Sequence, residues 1–280
     1  MEADARPRPA RAAFFDLDRT LIPGSSLFLL ARGAYDRDLF RVRDIIRFGW
    51  GQMVFRVAGE RQRNMERSRR STLEFVAGRS QEELLSWGHE IAQERILPLV
   101  YADIVRVIEG HQQRGDLTFL VTAAPIELAA KVAEALDMTD AIATVSEVDK
   151  DGFYTGRLVG PVMHGPEKAR AVATAAAEHR IELAECAAYS DSINDLPLLE
   201  SVGHPHAVNP EPELRRIAQA RGWPIHELRS RRRALLIGVP AGLGGVILVG
   251  GGIAVGMALE RRNQAALRGR VEELARRWGI

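Results

Sequence analysis

Cysteine is almost missing from this 280-residue chain. The single one, Cys186, rules out an intrachain disulfide, and its place in the apolar run AECAAY marks a small buried thiol. Lysine is scarce as well: only Lys131, Lys150 and Lys168 occur, so arginine supplies nearly all of the 38 basic residues. An excess of either charge is also lacking. The 38 basic residues face 37 acidic ones, a net charge of +1, which provides no bulk field for nucleic acid or for an acidic partner. The opening MEADARPRPARAA lacks the apolar core of a signal peptide and carries prolines, so residues 1–11 are expected to form a disordered arm.

The apolar runs that are present follow an order. AAFFDLDRT is a short strand ending in two carboxylates and broken by Pro23 and Gly24. Residues 25–110 carry helical periodicity around 27–34, 38–57, 62–76 and 81–96, with a further helix after Pro98 running into Gly110. DLTFLVTAAP reads as a strand that meets a helix near Pro125, and GPEKARAVATAAAEH as another helix. AIATVSEV and GFYTGRLVG are short strands joined by the turn DKDG. AECAAYSDS is a third strand with a polar end, and residues 205–225 add a short strand, a helix with an acidic start and a closing strand. The alternation predicts an α/β fold: a Rossmann-like, mostly parallel sheet with helices on both faces and a helical insert after the first strand. Residues 12–24 and 111–228 are expected to be the core and 25–110 the insert.

One stretch is free of charge altogether. Residues 234–259 hold no Asp, Glu, Lys or Arg and lie between Arg231, Arg232, Arg233 and Glu260, Arg261, Arg262. A helix of that length crosses a hydrocarbon core of about 30 Å, so residues 229–259 are expected to be a basic flank and a C-terminal transmembrane helix. GxxxG spacings at Gly238/Gly242 and Gly252/Gly256 make a homodimer possible. Residues 260–280 read as an amphipathic tail at the membrane interface. The expected location is a single-pass membrane protein with its catalytic domain in the cytoplasm. Membrane lipids are its expected partners, in part because eleven arginines fall between Arg32 and Arg70, either as a solvated basic face or with Arg41, Arg43 or Arg47 facing anionic lipid or a phosphorylated head group.

The polar strand ends carry the chemistry. Asp16 and Asp18 sit two positions apart, so in a regular strand their carboxylates share one side. Asp191 and Asp195 follow another apolar run at i, i+4, and in a parallel sheet the strand tips meet at one edge. Oxygen ligands crowded in this way suit Mg²⁺ rather than zinc. None of the seven histidines shows metal-ligand spacing, and His204 and His206 read as loop residues. Thr122, between a strand and a helix, has a hydroxyl and neighbouring amides able to hold phosphate oxygens. Lys168, at a helix start, supplies a point cation opposite Asp16.

In that order, DLDRT, the threonine of LVTAAP, the lysine of GPEKARAV and SDSINDLP resemble the four motifs of the haloacid dehalogenase-like hydrolase superfamily. Within it the chain looks like the phosphoserine-phosphatase-like subfamily (subfamily IB), with a helical cap inserted after the first motif. The resemblance covers approximately Ala12 to Ile225. It implies that Asp16 is the nucleophile of an aspartyl-phosphate intermediate and that Asp18 first protonates the leaving oxygen and then activates water. It further implies that Thr122 and Lys168 bind the phosphoryl group, that Mg²⁺ is held by Asp16, Asp18 (through its carbonyl) and Asp191, and that Asp195 supports this shell. The implied substrate is a small phosphomonoester.

Two features depart from the family pattern. Arg19 stands where glycine, lysine or serine is often seen, and reads as a spacer. Ser25 and Ser26 follow the first motif, with no acid until Asp36, where phosphoserine phosphatases generally place a glutamate for the substrate amine. Three alternatives accompany the leading function: a phosphatase of lysophosphatidate or another lipid phosphate, a phosphotransferase, and a non-enzymatic membrane-attached scaffold that binds a phosphometabolite.

Overall fold

Four apolar residues, Ala12–Phe15, form strand β1, and all four are buried. A strand with no polar side chain has no face to give to water, so it belongs in the middle of a sheet covered on both sides. The computed structural model describes residues 11–36, 73 and 76–228. After β1 come α1 (Ser26–Asp36), α2 (Gln81–Ile91), α3 (Ala102–Gln113), β2 (Leu117–Pro125), α4 (Ile126–Ala135) and β3 (Asp140–Thr144). Then follow β4 (Ser146–Val148), β5 (Tyr154–Leu158), α5 (Pro166–Glu178), β6 (Ala187–Ser190), α6 (Leu196–Ser201), β7 (His204–Val208), α7 (Pro212–Arg221) and β8 (Ile225–His226).

Six strands make one sheet in the order β3-β2-β1-β6-β7-β8, with every pairing parallel. Strands are added to one side of β1 and then to the other, so the crevice at its C-terminal end is the switch point where open α/β sheets bind ligands. Side chains alternate between two cores. Ala13, Phe15 and Leu120 join Ile91, Ile104, Ile108 and Leu128 on one face, while Ala12, Phe14, Phe119 and Val121 join Val172, Leu198, Leu199 and Leu214 on the other. Helices thus cover both faces. The sequence-predicted helix over 38–57, most of that over 62–76, and the disordered arm lie outside the described residues, apart from Arg11.

The predicted helix over 81–96 is α-helical only to Ile91, continuing as a π turn over Ala92–Ile96 and a 3₁₀ turn over Leu97–Leu99. Pro98 has no N–H to donate and cannot extend an α ladder. α3 starts after Tyr101, passes through Gly110 and packs on β1 and β2. α2 packs on α4 at a glycine: a Cβ on Gly88 would lie 2.5 Å from the Glu127 carbonyl oxygen and 2.8 Å from its carbon. Backbone cannot rotate out of the way, so Gly88→Ala is expected to lose stability by about 1–2 kcal/mol despite the better helix propensity of alanine. A rise in the urea midpoint would contradict this packing.

The DKDG turn forms as its composition suggests. Asp149 Oδ1 accepts the N–H groups of Asp151 and Phe153, both at 2.9 Å, and Gly152 takes the left-handed φ of +84°, so β4 and β5 pair antiparallel. Residues 78–81 bond to this hairpin, with Gly78 N donating to Tyr154 O at 2.8 Å and Tyr154 N to Arg79 O at 2.9 Å.

His204 and His206 lie on β7, not in a loop. Phe15, Tyr189 and His206 stack across β1, β6 and β7, with centroids 4.5 Å and 4.4 Å apart. His206 Nδ1 is 3.0 Å from His226 Nε2, and His111 Nε2 is 2.9 Å from the Tyr189 hydroxyl. Burial, then the charges of His226, His111 and His204, lower the His206 pKa from the ordinary 6.5 to about 4. The unfolded chain therefore binds the extra proton first. Stability from this group is complete above about pH 6.5 and declines as pH falls toward 4, by about 2 kcal/mol after discounting its partial exposure. His206→Phe should flatten the fall of Tm between pH 7 and pH 4.5; an unchanged slope would place the acid sensitivity elsewhere.

The expected transmembrane helix needs correction, together with the membrane-lipid partners and the single-pass membrane location drawn from it. Among the described residues no helix is long and apolar enough to cross a membrane. The longest, α5, has 13 residues, about 20 Å against the roughly 30 Å required. Residues 229–280, which carried the expectations of a span, a tail and a GxxxG dimer, lie outside the described residues. The case for a helix over 234–259 was the length of the run and its lack of charge, with eight glycines and Pro240 in those 26 positions as its weak point.

Candidate active site

Past Phe15 the chain stays in the ladder for one more residue, Asp16 N donating to Tyr189 O at 3.0 Å. It then turns sharply. Leu21 and Ile22 both donate to Leu17 O, at 2.9 Å and 3.2 Å, and Arg19 adopts a left-handed φ of +63° with its N–H on Gly24 O at 3.1 Å. This tight turn returns Thr20 to Asp16, so that Thr20 Oγ1 donates to Asp16 Oδ2 at 3.2 Å. Asp18 is tied to the start of α1, its Oδ1 accepting the Ser26 N–H at 2.7 Å.

Lys168 reaches the same point from the other side of the sheet. Gly165, at φ +57°, and Pro166 start α5, and the buried Lys168 extends from its first turn. Its Nζ donates to Asp16 Oδ1 at 2.6 Å and to Asp195 Oδ2 at 2.8 Å, and Ser190 Oγ donates to that Asp195 oxygen at 2.7 Å. Asp16, Lys168 and Asp195 are all at most 5% exposed, so the three form one dry, hydrogen-bonded unit. Thr122 is buried on β2, two positions beyond Leu120, the register partner of Phe15, and its Oγ1 accepts the Ala124 N–H at 3.1 Å.

Asp191, just past β6, is buried beside this unit. Arg19 Nε lies 3.1 Å from Asp191 Oδ2 and Arg19 Nη1 2.8 Å from Glu211 Oε1. The first contact has the distance of an ion pair but not hydrogen-bond geometry, since buried Asp191 Oδ2 accepts no hydrogen bond. Burial above all, then the charge of Asp16, pushes Asp191 up to about 8, against the pull of Arg19. Burial also raises Asp16, helped by Asp195 and Asp18 and opposed by the adjacent Lys168 ammonium. Asp18 is raised by burial despite its bonds to Ser26. Negative charge is crowded here beyond what two cations neutralise.

That imbalance is the test for a metal. A buried carboxylate oxygen without a hydrogen bond, next to a second carboxylate lifted by burial and then by like charges, is an all-oxygen donor set for a hard divalent cation. Among the described residues no three His, Cys, Asp or Glu side chains group as a metal cage. The donors gathered here, the side chains of Asp16 and Asp191, are all oxygens, the kind a hard cation such as Mg²⁺ takes.

Sequence reasoning passed over three of these groups. Thr20 could have been found from its place in DLDRT. Arg19, read as a spacer, pairs with Asp191 and Glu211, and Glu211 is 192 positions away along the chain, out of reach of any local pattern.

Comparison with known proteins identifies the family. The model of the haloacid dehalogenase-like hydrolase family matches residues 13–200. A putative hydrolase of Mycobacterium leprae is 40% identical over 265 residues, covering 93% of this chain and 87% of the relative. Phosphoserine phosphatase SerB1 of Mycobacterium tuberculosis is 41% identical over 254 residues, covering 90% and 82%. Among solved structures, a protein of unknown function from Bordetella pertussis is 34% identical with a TM-score of 0.70, covering 79% of this chain and 100% of that one. A non-enzymatic scaffold is thereby set aside. The chain belongs to the haloacid dehalogenase-like hydrolase family and is an enzyme, a phosphatase related to phosphoserine phosphatases.

Proposed function

We propose that this enzyme is a Mg²⁺-dependent phosphomonoester hydrolase that works through an aspartyl-phosphate on Asp16. The observation that carries the proposal is the buried Asp16 carboxylate at the switch point, fixed by Lys168 on one oxygen and Thr20 on the other. A carboxylate so oriented attacks phosphorus as the bond to the ester oxygen breaks, dividing one difficult hydrolysis into two steps. Asp18, raised by burial, is suited to deliver its proton to the leaving alkoxide. It then takes a proton from the water that attacks the phosphoryl group, the bond to Asp16 breaks, and inorganic phosphate leaves with Asp16 restored.

Lys168 and the Thr122 hydroxyl would hold the phosphoryl oxygens, with Asp195 and Ser190 fixing the lysine. Asp16, Asp191 and the Asp18 carbonyl would hold Mg²⁺, which supplies positive charge to the phosphoryl oxygens. The relation to phosphoserine phosphatases makes phosphoserine the first substrate to test, although Ser25 and Ser26 stand where an amine-binding acid is expected. The test is phosphate release from a panel of phosphomonoesters, phosphoserine included, before and after chelation. Expected is turnover of at least one ester that is lost on chelation and restored by Mg²⁺. Full turnover by the stripped protein, or cleavage of none of the panel with Mg²⁺ present, overturns the reading; phosphate appearing on an added alcohol instead of in solution would make the enzyme a transferase.

A further inference from the structure

Five carboxyl groups, Asp16, Asp18, Asp191, Asp195 and Glu211, cluster about the switch point, while Lys168 and Arg19 are the cations paired with them among the described residues. The two cations are not equivalent. Lys168 is 3% exposed and donates hydrogen bonds to both of its carboxylates. Arg19 has a side chain 46% exposed and meets Asp191 Oδ2 by charge alone, while its firm hydrogen bond, at 2.8 Å, goes to Glu211.

We infer that Arg19 is a displaceable counter-cation: its guanidinium neutralises Asp191 in the metal-free enzyme, yields that oxygen when Mg²⁺ binds, and so sets the affinity of the site for the metal. The inference rests on the metal use proposed above. Glu211 makes the exchange local. Its backbone N–H donates to Asp191 O at 2.9 Å and its other carboxylate oxygen accepts the Ile193 N–H at 3.5 Å, so Arg19 released from Asp191 keeps an anchor within the same loop pair. The origin of the side chain is also fixed, by the left-handed backbone at Arg19 and its bond to Gly24. A guanidinium that remains near a divalent ion repels it, and one that must leave a carboxylate first gives up that attraction; both lower metal affinity. By linkage, metal binding weakens the Arg19–Asp191 contact to the same degree.

The experiment is calorimetric titration of the full-length protein with MgCl₂ at low ionic strength, together with the Tm of each protein with and without Mg²⁺. Arg19→Gly removes the guanidinium and relieves the left-handed backbone. Arg19→Gln, which keeps the stem and loses only the charge, is the second variant in case the first does not fold. Expected is Mg²⁺ binding on the order of tenfold tighter in both variants and a larger rise in Tm on adding Mg²⁺; the metal-free Tm should fall in Arg19→Gln, whereas in Arg19→Gly the relieved backbone offsets that loss. Equal or weaker binding in the variants, with clear binding in the natural protein, overturns the role of Arg19 and leaves the metal reading intact. Failure of the natural protein to bind Mg²⁺ overturns both.

Discussion

Asp16→Asn is expected to lower kcat at least a thousandfold, on the order seen when a covalent nucleophile is lost, while Tm changes little. The two halves of this expectation have separate structural causes. Turnover falls because an amide is a poor nucleophile and cannot form the acyl phosphate. The fold survives because asparagine keeps a carbonyl oxygen to accept from Lys168, and Lys168 retains Asp195 at 2.8 Å as its charged partner. Rapid acid quenching with intact-mass measurement gives a second readout: the natural protein should carry one phosphoryl group during turnover and the variant none. Turnover within tenfold of the natural enzyme would remove Asp16 from the nucleophile role.

Lys168→Met should do the reverse, with stability lost as well as activity. Removing the ammonium leaves the buried Asp16 and Asp195 carboxylates facing each other without a counter-charge, and breaking such a pair from one side costs about 3–5 kcal/mol. For a domain of this size that corresponds to a fall in Tm of about 10 °C. The deficit should depend on pH. Without Lys168 nothing opposes the burial that already raises Asp16, so the native state holds a proton there that the unfolded chain releases above about pH 4. The gap from the natural protein should therefore be widest at pH 8 and shrink toward pH 5. Added Mg²⁺ should recover part of it. A deficit that grows on acidification would mean that the ion pair is not what holds this edge together.

Much of the sheet was legible because its strands are short apolar runs with punctuation at their ends. Pro125 and Pro166 mark the starts of α4 and α5, and DKDG marks the hairpin turn. The carboxylates followed once the strands were parallel, since parallel strands place their polar ends at one edge. The details that escaped depend on contacts far apart in sequence. The pairing of Arg19 with Glu211 needs the β1 turn and the start of α7 to meet, and the Tyr189–His206 stack needs β6 and β7 in register. The change from α to π turn at Ala92 is equally hidden, because the apolar spacing of residues 81–96 satisfies a continuous helix. The long charge-free run misled for a related reason: apolarity reports what water rejects, not which backbone conformation replaces it.

One hydrogen bond has a wider consequence. Tyr101 N donates to Leu21 O at 2.9 Å, so positions eighty residues apart in the chain are adjacent in space, one just before the long intervening segment and one just after it. With its entry and exit joined at a single point, a segment of very different length can be accommodated there, because closure entropy grows only with the logarithm of loop length. The length of the intervening segment can thus change during evolution without displacing the turn that carries Asp16. Gly24, Ser26 and α2 would have to be kept through any such change, because Gly24 O holds the Arg19 N–H, the Ser26 N–H holds Asp18 and α2 packs on α4.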